Sequence, residues 1–191
     1  ISLYTTSNTF ILGLFTNNTI VGYYSAGEKI VRVIQGLLTP VSQTVYPYIS
    51  KLASESKDKA IRFIRKIVKI IGVGTFIASF LLFVFAEPVI NIILGSQYQQ
   101  SVIVLRILAF LPFIIGLSNV FAIQGLYTFG YHSIVSKFVV FMSLMHLLLF
   151  LTLTYFFSLI GSLIAVVITE ILITFFSAKN YFRLIIKGRY N

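Results

Sequence analysis

Glu28, Lys29 and Arg32 are the residues of this sequence best placed to do chemistry, because they stand inside an otherwise apolar stretch that runs from Ile20 to Tyr24 and resumes at Ile30. Glu28 and Arg32 are four residues apart, so on a helix they share a face and can pair. The same face continues in steps of three and four through Gln35, Thr39, Ser42 and Tyr46. A polar stripe along one side of an apolar helix predicts a water-lined lumen. Its cations are Lys29 and Arg32, with Glu28, Gln35 and Thr39 beside them. If the helix begins near Ile20, Arg32 lies about 18 Å along it at about 1.5 Å per residue. A charge at that depth in hydrocarbon costs at least about 2.5–3.5 kcal/mol, so it needs a partner or water. A helix starting only at Val31 would instead put these charges at the surface. That start would strand the apolar Ile20–Tyr24 run in water.

Other polar residues extend the candidate set. Arg106, a few residues inside a later apolar run, either faces the same cavity or snorkels outward. Glu170 lies deep in the last apolar run, where a carboxyl is protonated, paired with a base, or part of an ion-coupling site; it is the ion-coupling candidate. His146 is read as a neutral packing residue in preference to a proton relay. Asn8, Asn119 and Gln124 are read as interhelical hydrogen-bonding residues.

Catalysis finds little support. Of five acidic residues, Glu28, Glu87 and Glu170 alone lie outside the basic segment around residue 57, and none is spaced as a pair. There is no Asp-x-Asp motif, no Gly-x-Ser-x-Gly elbow and no phosphate-binding glycine loop, and Gly72 and Gly74 fit no nucleotide-binding context. The histidines are His132 and His146, and cysteine is absent, which removes thiolate chemistry and Cys-based metal sites. The expectation is a non-enzyme without metal or cofactor.

The elements that must carry these residues follow from composition. Of 191 residues, 58% are hydrophobic and 10% charged, against roughly 25% charged in soluble domains, and the mean hydropathy is +0.95. An integral membrane protein follows. A spanning helix needs about 20 apolar residues, and six are predicted: about 1–15, 20–50, 67–86, 101–127, 138–157 and 159–178. The fold class is therefore all-α, a polytopic transmembrane helical bundle. Ser158 to Ser162, with Gly161, supplies the turn between the last two. Pro40 and Pro47 predict a kink in the second. Period-2 alternation, the mark of a membrane β-barrel, is missing.

Charge sets the orientation. Lys51, Lys57, Lys59, Arg62, Arg65, Lys66 and Lys69 cluster after the second helix, Lys137 precedes the fifth, and Lys179, Arg183, Lys187 and Arg189 follow the sixth, twelve cations on one side. The connections around Asn17, from Glu87 to Gln100, and around Ser158 carry none. Cytoplasmic loops are enriched in Lys and Arg, so 51–66 is expected as a basic cytoplasmic loop and 179–191 as a basic cytoplasmic tail. The same asymmetry explains a net charge of +10 without nucleic acid. Residues 58–69 are read as a charged turn that anchors topology, in preference to an amphipathic helix with Ile61, Ile64 and Val68 against lipid. The chain starts at Ile1 without a signal segment, which suggests a piece of a longer polypeptide.

Particular residues resemble a known family. The run Val21-Gly22-Tyr23-Tyr24-Ser25-Ala26-Gly27-Glu28-Lys29-Ile30, then Pro40 and Val45-Tyr46-Pro47-Tyr48-Ile49-Ser50, is similar to the hallmark helix of O-antigen flippases of the Wzx type. Ile160-Gly161-Ser162-Leu163-Ile164-Ala165 followed by Thr169-Glu170 adds to the likeness. These exporters belong to the multidrug/oligosaccharidyl-lipid/polysaccharide superfamily, with twelve or more helices in two halves. The resemblance implies a C-terminal half, helices seven to twelve of a MATE-like transporter in the bacterial inner membrane. It further implies flipping of an undecaprenyl-pyrophosphate-linked oligosaccharide, an O-antigen or capsule repeat unit, from the cytoplasmic to the periplasmic leaflet. Lys29 and Arg32 fall in the segment that lines the family's cationic cavity. Implied partners are that lipid-linked substrate, membrane lipids, the missing N-terminal half and polysaccharide polymerase machinery. A cation-coupled multidrug exporter of the same fold would favour acidic lumen residues. A polytopic membrane glycosyltransferase or polymerase fragment would need an exposed catalytic loop.

Overall fold

A computed structural model describes residues 2–186, with side chains from Ser7 onward. Lys187 and Arg189, counted above among the tail cations, lie outside the described residues. Every described element is a helix: α1 Ser2–Phe15, α2 Asn18–Gly36, α3 Leu38–Glu55, α4 Lys57–Val84, α5 Ala86–Ile93, a 3-10 turn Ser96–Tyr98, α6 Ser101–Leu108, α7 Leu111–Asn119, a π-helical stretch Val120–Tyr127, α8 His132–Asn180, and a second π-helical stretch Tyr181–Ile186.

Local chemistry explains the starts. Asn17 holds an extended backbone and its side chain accepts the Ile20 N–H at 3.0 Å, capping α2. Ser56 does the same for α4 through the Lys59 N–H, with Asp58 favouring the N-terminal dipole. Because α2 starts at Asn18, Glu28 and Arg32 sit in its middle, which excludes the late start at Val31.

Where six spans are predicted, three helices are long and apolar enough to cross a membrane: Lys57–Val84, Ser101–Tyr127 and His132–Ile186. Three physical features account for the difference. α1 comprises 14 described residues, about 21 Å of helix. The predicted helix 20–50 is divided at Leu37 into α2 and α3. Pro40 falls in the first turn of α3, where its missing N–H has no intrahelical partner to lose, while Pro47 lies inside α3. The third long helix reverses direction within itself. Ser158 has φ 52° and ψ −131°, and three pairs nest around it: Leu153 with Gly161, His146 with Thr169, and Phe138 stacked on Phe176. Residues 132–157 and 159–180 are thus two antiparallel arms. A methyl group on Gly161 would run into the Leu153 carbonyl, so the absence of a side chain there permits the tight reversal.

The segment expected as a loop over 51–66 is helical except at Ser56, since capping lets α4 begin at once. Ile61 and Ile64 also face protein instead of lipid: they are buried against Ile49, Phe121 and Tyr181. Burial of each contributes about 2 kcal/mol. This cluster also takes in Val135 and Ile185, so the segments that carry the Lys51–Lys69 cations, Lys137 and Arg183 converge at one end of the bundle. The opposite end brings Tyr23 beside Tyr98 and Phe15 beside Tyr155, an aromatic rim suited to a membrane interface. A second apolar cluster, with Leu12, Tyr24, Val31, Leu105, Phe150 and Leu163, joins α1, α2, α6 and both arms of α8. Outward, Val73, Phe76, Ile77 and Phe80 on α4 and Phe141, Leu144 and Leu148 on α8 are exposed, an apolar belt that suits lipid.

Candidate functional site

Gly27 sets how α2 lies in the bundle. A Cβ there would fall 2.8 Å from Val104 Cγ1 and 3.1 Å from the Ser101 carbonyl, so a bare glycine lets α6 press directly on α2. Glu28, the next residue, pairs with Arg32 one turn further on at 2.8 Å between Oε1 and Nη2. The glutamate side chain is 13% exposed and the arginine 37%, so the guanidinium stands in the more open position. Lys29, on the adjoining flank, is exposed. One carboxylate among two cations leaves the middle of α2 net positive.

The same carboxylate has a second donor. Tyr24, fully buried one turn earlier, donates its hydroxyl to Glu28 Oε1 at 3.3 Å, and the Asn8 amide of α1 lies beside that hydroxyl. Asn8 Oδ1 accepts from His146 Nε2 at 3.0 Å, so in the neutral ring Nδ1 is the acceptor and faces the Thr169 hydroxyl at 3.0 Å, which also lies 2.8 Å from the Ala165 carbonyl. A polar string thereby runs from the two arms of α8 through α1 to α2. Its inner members are almost wholly buried, and each finds a partner, as buried polar groups require. Asn8 and His146 were visible in the sequence as polar residues of apolar helices. Tyr24 and Glu28 share a helical face four residues apart, but no spacing rule links them to positions 8, 146 and 169, so the union of the string is hidden in the sequence.

The remaining candidates are dispersed. Gln35 is half-buried and Thr39 exposed. Ser42 is held by Gln124, whose Nε2 donates to its Oγ at 2.7 Å and to its carbonyl at 3.3 Å. Gln124 reaches α3 from the π-helical stretch, a widened turn that re-aims side chains. A cleft of about 20 Å³ lies there between Leu38, Ser42, Asn119 and Gln124, room for about one water. Arg106 Nη2 lies 3.9 Å from Glu87 Oε2, both about half-exposed, so it is turned toward α5. Glu170 is half-buried on the second arm of α8, next to Thr169, and among the described residues no side chain bonds its carboxylate. No group of three or more metal-ligating His, Asp or Glu residues occurs among the described residues.

Two curated proteins, each named "Putative O-antigen transporter", are similar to the chain. The one from Escherichia coli K12 is 37% identical over 174 residues, covering 91% of this chain and 42% of its own length. The one from Shigella dysenteriae is 32% identical over 184 residues, covering 93% of this chain and 44% of its own. The chain therefore spans less than half the length of the curated relatives it matches. No solved structure matches it. A family model described as "Polysaccharide biosynthesis protein" matches residues 1–103, more than half of the chain, including α1, α2 and the Glu28–Arg32 pair. This membrane helical bundle accordingly belongs to the polysaccharide biosynthesis protein family.

Proposed function

We propose that this chain supplies one helical bundle of a carrier that flips an undecaprenyl-pyrophosphate-linked oligosaccharide, an O-antigen or capsule repeat unit, from the cytoplasmic to the periplasmic leaflet of the bacterial inner membrane. The observation that supports the reading is the net positive middle of α2, where Arg32 pairs with Glu28 and Lys29 stands exposed on the adjoining flank. A diphosphate crossing about 30 Å of hydrocarbon needs cations and water along its way. Arg32 is the better diphosphate ligand because its planar fork fits two phosphate oxygens at once, whereas Lys29 acts as a point charge. Half-buried Gln35 and exposed Thr39 add hydrogen bonds for sugar hydroxyls further along. The rest of the relatives' length supplies the facing bundle, and transport proceeds by alternating access between the two. The chain acts as a carrier and not as a catalyst. Its cation-rich end, and with it the C-terminus, faces the cytoplasm, and Glu170 is the site of ion coupling.

The deciding experiment is substitution in the full-length protein, with surface polysaccharide and membrane abundance measured together. Arg32→Ala and Lys29→Ala are expected to stop surface polysaccharide assembly at normal abundance, and Arg32→Lys to retain part of it. A purely structural pair behaves differently: either single loss lowers abundance, and Glu28→Gln with Arg32→Gln restores it by leaving no buried charge alone. Recovery of both abundance and polysaccharide in that double variant would refute a substrate role for Arg32. Glu170→Gln is expected to remove the dependence of flipping on an ion gradient.

A further inference from the structure

The string that ends on Glu28 opens toward solvent in one direction only. Thr169 and Tyr24 are fully buried, Asn8 and His146 are 2% and 3% exposed, Glu28 is 13% exposed at its side chain and Arg32 37%. Buried polar groups can be replaced by apolar ones of similar shape at little cost when both partners go together, so packing alone does not call for five of them in series. What the series does is hold one oxygen. Glu28 Oε1 accepts from Tyr24 on its buried side and from Arg32 on its open side, and the Asn8 amide, tied to His146 and through it to Thr169, lies beside the Tyr24 hydroxyl. A free arginine side chain carries about 2 kcal/mol of rotamer entropy, which an anion must overcome on binding. A carboxylate fixed from behind removes part of that cost beforehand.

We infer that Tyr24, Asn8 and His146 are positioning residues for the Arg32 cation, so that the α8 hairpin, acting through α1, presets the guanidinium of α2 for a diphosphate. The inference rests on the reading of Arg32 as the anion-binding residue. Because the string ties both arms of α8 to α2, a shift of the hairpin against α1 loosens Arg32, which gives the carrier a means of releasing its cargo.

The test is binding of farnesyl diphosphate to the purified full-length protein, with inorganic pyrophosphate in a parallel arm. Tyr24→Phe removes a single oxygen from a packed ring and is expected to raise the farnesyl diphosphate Kd about three- to tenfold, the net size of an ordinary hydrogen bond, because its effect reaches the ligand only through Glu28 and Arg32. His146→Leu should do the same. His146→Gln, which keeps a donor near the position of Nε2, should restore binding. Arg32→Ala should weaken binding further, and Tyr24→Phe added to it should change nothing more, since a positioning residue has no effect once its target is gone. Weakened pyrophosphate binding in parallel assigns the recognition to the phosphates, and a change confined to farnesyl diphosphate would overturn the preset-cation account. Wild-type affinity in Tyr24→Phe and His146→Leu beside a defective Arg32→Ala would overturn the positioning role and leave the function standing, as would additive losses in the double variant. No farnesyl diphosphate binding by the wild type, or unchanged binding in Arg32→Ala, would overturn both.

Discussion

Substituting alanine for Gly161 tests the hairpin on which the second half of the bundle depends. In the middle of an ordinary helix the exchange favours folding by about 1 kcal/mol, because alanine restricts the unfolded backbone. Here the added methyl meets the Leu153 carbonyl and stands 2.9 Å from Phe157 Cβ, whereas non-bonded carbons rest at about 3.5–4.0 Å. Both obstacles are fixed to the backbone of the facing arm, so the two arms must separate. Overpacking of this kind costs typically about 1–3 kcal/mol, and this contact belongs at or above the upper end. The net expectation is a loss of about 2 kcal/mol, roughly a 30-fold shift toward the unfolded state. Melting of the detergent-solubilised full-length protein, followed by circular dichroism, should fall by about 2–4 °C. Gly74→Ala is the control: Gly74 lies in α4 with nothing within 4 Å of the place its added methyl would take, and its exchange should leave melting unchanged or raise it. A Gly161→Ala protein that melts at or above the wild-type temperature would refute the close approach of the arms.

Ser158, at φ 52° and ψ −131°, holds a backbone that suits glycine, so Ser158→Gly is expected to stabilise the hairpin by about 1 kcal/mol and to raise the melting temperature. Gln124→Leu removes both bonds to Ser42 and should cost about 1–2 kcal/mol; unchanged melting would show that the cross-link between α3 and the π-helical stretch carries no weight. In the cysteine-free sequence, single cysteines at Lys57 and Asn18 should label from opposite faces of the membrane, Lys57 from the cytoplasm. Labelling of both from one face would overturn the placement of the cation-rich end.

Composition and periodicity were enough to determine an all-helical membrane bundle, because apolar runs of this length leave a backbone no choice but to satisfy its own hydrogen bonds. The gathering of cations at one end was legible for a similar reason: each charge avoids hydrocarbon independently of the others. The pairing of Glu28 with Arg32 followed from helical spacing alone. Tertiary packing decided the rest. Proline content predicted a kink between 20 and 50, and the division falls at Leu37, beside the Gly36 carbonyl that Pro40 cannot bond, but that α2 then packs on α6 and α3 on α4 was set by the folded bundle. Ile61 and Ile64 read equally well as lipid-facing, since a periodic stripe states that one side is apolar without naming what covers it. Arg106 turned to Glu87, a partner 19 positions earlier, once α5 and α6 were brought side by side. The string from Thr169 through His146, Asn8 and Tyr24 to Glu28 joins residues up to 138 positions apart in a single hydrogen bond. Such a contact exists only when the hairpin, α1 and α2 are packed together, because hydrogen bonds act over about 3 Å and no local pattern in the chain encodes which distant helix will come within that reach.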